Sequence, residues 1–396
     1  MKQSSFRLYF IDLIRAFAIC MMLQGHFTDS LLGHEYRDPN NIFYSVWLYF
    51  RGITAPTFFT VSGFIFTYLL IKDSVHTGWD NIRVRKGIRR GFYLIGIGYA
   101  LRTNIAGLLI GQIYDGFYMI DVLQCIGLSL ILIVTIYLLT QNTPKWLMPL
   151  LLLSATLFLF TFEPVYSQLT FDYMPKMFAN YFTKANGSVF TIFPWFGYTA
   201  FGSFLAYVFN HYKGHKHIYI YAISTALILG VALLFGSSPF FYKMYEVTGI
   251  EIFNMIFDNN YLYARLGNVM FSFAFFMLLQ NVLTYRKFIE IGQNTLSIYI
   301  IHFMLLYGSF TGLGLYKFFN HSLSPYVIVP GAIIFVLTNV FISFKYNLYK
   351  PEIDKKTALV KQEVMLLTIE AYYIIINTAI RIKNKIVAML SGYRNS

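Results

Sequence analysis

Apolar runs of about 18 to 25 residues recur from one end of the chain to the other, and each is long enough to cross a bilayer as a helix. Only 12% of the 396 residues are charged, against about a quarter in soluble domains. A soluble α-helical protein does not fit this pattern. We therefore predict an all-α polytopic membrane protein with about ten transmembrane helices. The predicted spans are 8–28, 48–71, 88–108, 117–140, 144–162, 189–210, 217–236, 260–283, 294–316 and 325–345.

The distribution of Lys and Arg predicts the orientation of these spans. With the N-terminus inside, thirteen basic residues, including Lys2 and Arg7, fall in inner segments and five in outer segments. Basic residues collect in cytoplasmic loops, so both termini are expected in the cytoplasm. The net charge of +13 then reflects topology, and we expect no nucleic-acid partner.

We divide the chain into a transmembrane domain, 1–350, and a basic amphipathic cytoplasmic tail, 351–396. The tail contains an apolar run at 364–380, which Glu370 interrupts. Basic residues flank the run on both sides, and a span would place one group outside. An interfacial helix is therefore favoured over a further span. The flanking residues are Lys355, Lys356, Lys361, Arg381, Lys383 and Lys385.

Cysteine usage and the N-terminus bear on the compartment. Cys20 and Cys125 both lie inside apolar runs, so no disulfide framework is expected. The first apolar run has no small-residue cleavage site, which identifies it as a span rather than a removed signal peptide. A compact chain without a targeting segment favours an integral protein of the bacterial plasma (inner) membrane.

The first predicted span contains Asp12, Arg15, Gln24 and His26, although ionisable groups are costly inside a bilayer. Arg15 and His26 are eleven residues apart, which is three helical turns plus roughly 20°. Both side chains should therefore share one face, about 16 Å apart along the axis. A local Asp12–Arg15 pair that only neutralises charge is the alternative interpretation.

Other polar residues fall at the outer ends of predicted spans. Each alone is better explained as a headgroup anchor or a hydrogen-bond partner, but their similar depth favours a shared site. These residues are Asp29, Arg51, Arg102, Asp121, Gln124 and Arg265, with His302 close to mid-membrane.

A basic cluster precedes the third predicted span on the cytoplasmic side. Its members are Arg83, Arg85, Lys86, Arg89 and Arg90. The cluster is explained either by topology and anionic lipid headgroups or by binding to the phosphates of a cytosolic donor.

Six segments occur in an order that resembles a known family. They are Ile11-Asp-Leu-Ile-Arg15, Gly25-His26, Ala55-Pro-Thr-Phe-Phe-Thr-Val-Ser-Gly63, Asp121-Val-Leu-Gln-Cys-Ile-Gly127, Phe193-Pro-Trp-Phe-Gly-Tyr198 with Gly202, and Asn294-Thr-Leu-Ser-Ile-Tyr-Ile-Ile-His302. An Arg and a His separated by ten residues resemble the signature of acyltransferase-3-type membrane enzymes. The set as a whole is closer to the heparan-α-glucosaminide N-acetyltransferase-like proteins.

The resemblance implies transfer of an acyl group, with acetyl the first choice, from cytosolic acyl-CoA to a sugar or glycan acceptor on the outer side. His26 would be the general base, with Asp29 or another outer carboxylate orienting its ring; a covalent acyl-histidine is the less favoured variant. Arg15, held by Asp12, would contact the CoA moiety or the thioester oxygen. The remaining assignments are Arg89, Arg90 and His302 to the donor, and Arg51, Arg102, Asp121, Gln124 and Arg265 to the acceptor, with no metal.

Two other classes of function remain open. Intramembrane Arg, Asp and His also mark pathways in transporters and flippases, although no inverted repeat or pair of broken helices is evident. A membrane sensor or scaffold would tolerate substitution of Arg15 and His26. The expected partners are the bilayer, acyl-CoA and a sugar, glycan or lipid-linked acceptor. A homodimer is compatible with the sequence, which contains no signature of oligomeric state.

Overall fold

The computed structural model describes residues 8–72 and 76–392, and the regular elements in this part of the chain are helices. The long helices are α1 (Tyr9–Leu31), α2 (Ile42–Ile71), α3 (Ile82–Leu101), α4 (Val122–Thr140), α5 (Leu147–Thr161), α6 (Ile192–Tyr212), α7 (Ile218–Val231), α8 (Ser237–Thr248), α9 (Tyr261–Leu279), α10 (Arg286–Gln293), α11 (Thr295–Tyr307) and α12 (Pro325–Gly392). A π-helical turn, Ala232–Gly236, joins α7 to α8. Shorter helical segments are His34–Tyr36, Gly78–Asp80, Ile105–Leu109, Asp115–Tyr118, Glu163–Tyr166, Lys176–Ala179, Glu251–Asp258 and Leu315–Phe319.

Seven helical segments of the described chain are long and apolar enough to cross a membrane, or eight if the bent α10–α11 pair counts as one span. The all-α membrane architecture is therefore confirmed, whereas the predicted count of about ten is not. Helix α3 is not counted as a membrane span because basic residues fill its first half. Helix α5 is not counted because it has only 15 residues. The predicted span 294–316 instead contains the second helix, α11, of a helix pair bent by 70°.

Helices α2 and α6 pack closely against each other. A Cβ on Gly63 would lie 2.0 Å from the Thr199 carbonyl oxygen, and one on Gly202 would lie 1.9 Å from that of Thr60. Small residues allow transmembrane backbones to approach this closely. The α2–α6 pair thereby provides a rigid wall beside α1.

The break between α10 and α11 lies directly against α1. A Cβ on Gly292 would lie 1.9 Å from the Asp12 carbonyl oxygen, so the end of α10 packs on the α1 backbone. Thr295, the first residue of α11, accepts a hydrogen bond from the Arg15 guanidinium at 2.9 Å. The bend therefore brings the start of α11 to the Arg15 level of α1.

The chain divides into two compact units, Met1–Val340 and Phe341–Ser396. The second unit is helical as far as Gly392, but most of its side chains beyond residue 359 lie outside the described part, including those flanking the 364–380 run. Lys2 and Arg7, used for the orientation, also lie outside it. The tail, the domain boundary and the orientation stay predictions.

Candidate active site

Helix α1 lines several cavities, and two of them contain its Arg15 and its His26. The first, here called the Arg15 cavity, has a volume of about 300 Å³. Arg83, Lys86 and Arg90 line it together with Arg15. These three α3 residues recur at helical spacing and so lie on one face, which gives the cavity a cationic mouth and an apolar interior.

Arg15 is fixed by neighbours on two elements. Its guanidinium donates to Thr295 Oγ1 of α11 at 2.9 Å, and it is attracted by Asp12, one turn earlier, and repelled by Arg90. The predicted Asp12–Arg15 association is thus one part of a larger arrangement. Arg15 is held at the cavity wall by contacts that the α1 sequence alone did not indicate.

The second cavity, here called the His26 cavity, has a volume of about 530 Å³. Its lining contains both an imidazole and several charged groups, which is unusual inside a membrane protein and typical of a functional site. These polar residues are His26, Arg51, Asp121, Lys184 and Arg265.

The ring of His26 is supported by α11 and by the end of α1. The Tyr307 hydroxyl lies 3.4 Å from His26 Nδ1 and 3.1 Å from Ser30 Oγ. The His302 ring contacts His26 edge-on, with centroids 5.2 Å apart. His302 is fully buried, and its Nδ1 is bonded to the Tyr299 carbonyl. The structure thus places His302 beside His26, rather than in the Arg15 cavity with the donor residues.

Asp29 contacts arginines rather than the imidazole. Its carboxylate pairs with Arg51 at 2.6 Å and with Arg37 at 3.7 Å. The structure thus places the Tyr307 hydroxyl, and not the Asp29 carboxylate, within hydrogen-bond distance of His26. Asp29 instead fixes Arg51, whose guanidinium also lies 5.6 Å from the Trp47 ring centroid.

Arg102, Asp121 and Gln124 form one buried polar group at the start of α4. Arg102 pairs with Asp121 at 2.9 Å. Asp121 and Gln124 form a capping box on α4, which satisfies amide groups at the helix start. Of the three, Asp121 lines the His26 cavity, and the other two hold it in place.

Arg265 and Lys184 are the cations of the His26 cavity without an ion-pair partner among the described residues. Arg265 lies over the Tyr261 ring at 5.0 Å and beside Gly52. Burial lowers the pKa of Lys184. The charge of Glu163 raises this pKa, and the charge of Arg265 lowers it further. Both groups are therefore available to a polar molecule in the cavity.

Phe58 of α2 and Tyr299 of α11 line both cavities. Tyr299 is 2% exposed and contacts the rings of His302 and Phe303. We call these two rings the Phe58–Tyr299 constriction. Both cavities therefore border on these two side chains.

The structure brings together many, but not all, of the residues chosen from the sequence. Arg89 is exposed and does not line the Arg15 cavity, whereas Arg83 and Lys86 do. The helical spacing of positions 83, 86 and 90 on α3 could have distinguished the residues that line the cavity from Arg89. Lys184, Tyr307 and Phe58 were missed, since the first lies in a loop and the other two resemble ordinary apolar helix residues. No cluster of three His, Cys, Asp or Glu that could hold a metal occurs in residues 8–72 and 76–392.

The fold and the paired cavities define a polytopic α-helical membrane protein with a cation-lined cavity at one level and an imidazole-lined cavity at another. Residues 7–246, more than half of the chain, match the family model described as heparan-alpha-glucosaminide N-acetyltransferase, catalytic. The chain belongs to this family, which confirms the resemblance of the ordered motifs and supports a membrane acetyltransferase. A comparison with curated proteins gave no match.

Proposed function

We propose that this protein transfers an acetyl group from cytosolic acetyl-CoA, bound in the Arg15 cavity, to a sugar or glycan acceptor in the His26 cavity. The observation that supports the proposal most is that α1 lines both cavities in a chain that belongs to this family. One helix contributes Arg15 to one cavity and His26 to the other, about 16 Å apart along its axis.

The Arg15 cavity suits the donor. Arg83, Lys86 and Arg90 offer three cations at its mouth, which is the chemistry that binds phosphates. The apolar interior suits the extended arm that bears the thioester. Because Arg15 is about 16 Å from His26, its role is contact with the CoA moiety and not with a thioester at the imidazole.

His26 is the general base of the proposed reaction. The acceptor hydroxyl or amine attacks the thioester carbonyl and gives its proton to His26. The carbon–sulfur bond then breaks, a carbon–oxygen or carbon–nitrogen bond remains, and the proton passes to the CoA thiolate. Imidazole suits this proton transfer near neutral pH. The hydrogen bond of Nδ1 with Tyr307 leaves Nε2 for the acceptor.

The acceptor is bound by polar groups around the imidazole. Arg51, Asp121 and Arg265 line the cavity, and Lys184 adds a fourth group that can bond hydroxyls or anions. Arg102 and Gln124 act through Asp121. This cavity faces the extracytoplasmic side of a bacterial plasma membrane if the predicted N-in orientation holds.

Substitution of His26 by Ala tests the assignment. Purified His26→Ala protein should lose acetyl transfer by about two orders of magnitude or more while it still binds acetyl-CoA. The matched control is His211→Ala, which alters an exposed histidine outside both cavities. Wild-type turnover by His26→Ala would refute the role of His26, and failure of the wild-type protein to bind acetyl-CoA would refute the acyltransferase assignment.

A transporter or flippase is the second candidate, and the bent α10–α11 pair is the observation that favours it. Broken helices line substrate sites in transporters. This candidate predicts movement of a sugar or lipid-linked substrate across proteoliposomes without consumption of acetyl-CoA. Release of CoA that depends on an added acceptor would contradict it.

A further inference from the structure

Two aromatic rings separate the donor and acceptor cavities, and we propose that Phe58 at this constriction determines the length of acyl group the protein accepts. The inference rests on the proposed function, because it assumes that an acyl group passes from the Arg15 cavity toward His26.

The two sides of the constriction differ in mobility. Tyr299 is 2% exposed, and the rings of His302 and Phe303 lie 4.8 and 6.1 Å from its own. Its backbone carbonyl is also bonded to His302 Nδ1. Phe58, on the opposite wall, is only half-buried and borders open volume on both sides. A movement that widens the passage therefore belongs to Phe58.

The available volume makes the constriction selective. The Arg15 cavity holds about 300 Å³, and a bound donor arm fills its apolar interior. The terminal carbons of the acyl group then lie against Phe58 when the thioester approaches the imidazole. An acetyl group passes with a small rotation of the Phe58 ring, whereas each added methylene must displace further atoms and should lower kcat/KM by about tenfold or more.

The backbone at Phe58 favours a fixed position for the ring base. Thr60 and Gly63, within the next turn and a half of α2, pack directly against the backbone of α6 at Gly202 and Thr199. Side-chain rotation, rather than a shift of α2, is therefore the adjustment available. Replacement of the ring by a smaller side chain should widen the passage without moving the helix.

The experiment compares acetyl-CoA, butyryl-CoA and octanoyl-CoA as donors for wild-type protein and three Phe→Ala variants in detergent. Phe58→Ala should raise the ratio of octanoyl to acetyl kcat/KM by about tenfold or more. The controls are Phe66→Ala and Phe190→Ala, because Phe66 lines only the Arg15 cavity and Phe190 only the His26 cavity. Neither control should raise the ratio by more than about twofold. This is well below the change of about tenfold or more in kcat/KM that one methylene group can cause.

A second pair of variants tests the proposal even if Phe58→Ala does not fold. Phe58→Leu keeps an apolar contact and should raise the butyryl to acetyl ratio, while Phe58→Trp should lower it. The proposal is overturned if the wild-type protein uses acetyl-CoA but the Phe58 variants leave these ratios unchanged, or if Phe66→Ala changes them equally. Absence of acyl-CoA consumption by the wild-type protein would instead overturn the proposed function and this inference with it.

Discussion

At the scale of single residues, the structure replaces a charged partner of His26 with a neutral one. Asp29 is engaged by Arg51 and Arg37, and the imidazole instead meets the Tyr307 hydroxyl. Charged groups such as Asp121 and Arg51 share its cavity, but the hydrogen-bond partner of the ring is a phenol. The sequence could not show this, because Tyr307 is 281 residues from His26 and only the fold brings them together.

Tyr307→Phe should lower kcat by about tenfold, the value of one lost hydrogen bond. The KM for acetyl-CoA should stay unchanged, because Tyr307 does not line the Arg15 cavity. The pH profile of kcat should also shift, which a merely structural role would not cause. Tyr316→Phe is the control: its ring packs on Tyr307 at 6.0 Å, and an unchanged kcat is expected.

At the scale of elements, the α3 face that bears Arg83, Lys86 and Arg90 offers a test of the basic cluster. The test distinguishes binding of the donor from a role in membrane topology alone. Arg90→Gln should raise the KM for acetyl-CoA about tenfold, because it removes one cation from the Arg15 cavity. Arg89→Gln removes the same charge from the neighbouring exposed position and should leave KM unchanged. Equal effects of the two substitutions would attribute the cluster to topology and lipid headgroups.

The α2–α6 pair gives a stability prediction. Gly202→Ala would place a methyl carbon 1.9 Å from the Thr60 carbonyl oxygen, and separation of the two helices should cost about 3 kcal/mol. Gly96→Ala on α3 meets no atom within 4 Å and should be neutral or slightly stabilising. Melting temperatures of the two variants in detergent measure the difference, and similar values would show that the close approach is not rigid.

The helices themselves were largely predictable, and their departures from the prediction have physical reasons. Helix α1 matches its predicted span because apolar composition and length agree. The bend before Thr295 was not predictable from composition, because it depends on the packing of Gly292 against the Asp12 backbone. Likewise, Lys184 lies in a loop whose path across the His26 cavity no local pattern specifies.

At the scale of the whole molecule, the orientation remains a prediction from charge, and two exposed lysines test it. In a background of Cys20→Ala and Cys125→Ala, Lys243→Cys should react with a membrane-impermeant maleimide in intact spheroplasts. Lys213→Cys should react only after permeabilisation. Both lysines are exposed, so access to the reagent is limited by the membrane alone. The reverse labelling pattern would place the His26 cavity in the cytoplasm.

The Phe58–Tyr299 constriction has an electrical consequence. Two hydrated cavities that met inside the membrane would form a leak, and moving one elementary charge through a potential of 100 mV is worth about 2.3 kcal/mol. Phe58 presents an apolar ring where both cavities are lined by the same two residues, so a continuous file of water at this point requires that ring to move. We therefore expect the protein in proteoliposomes to hold an imposed proton gradient, and Phe58→Ala to dissipate it faster.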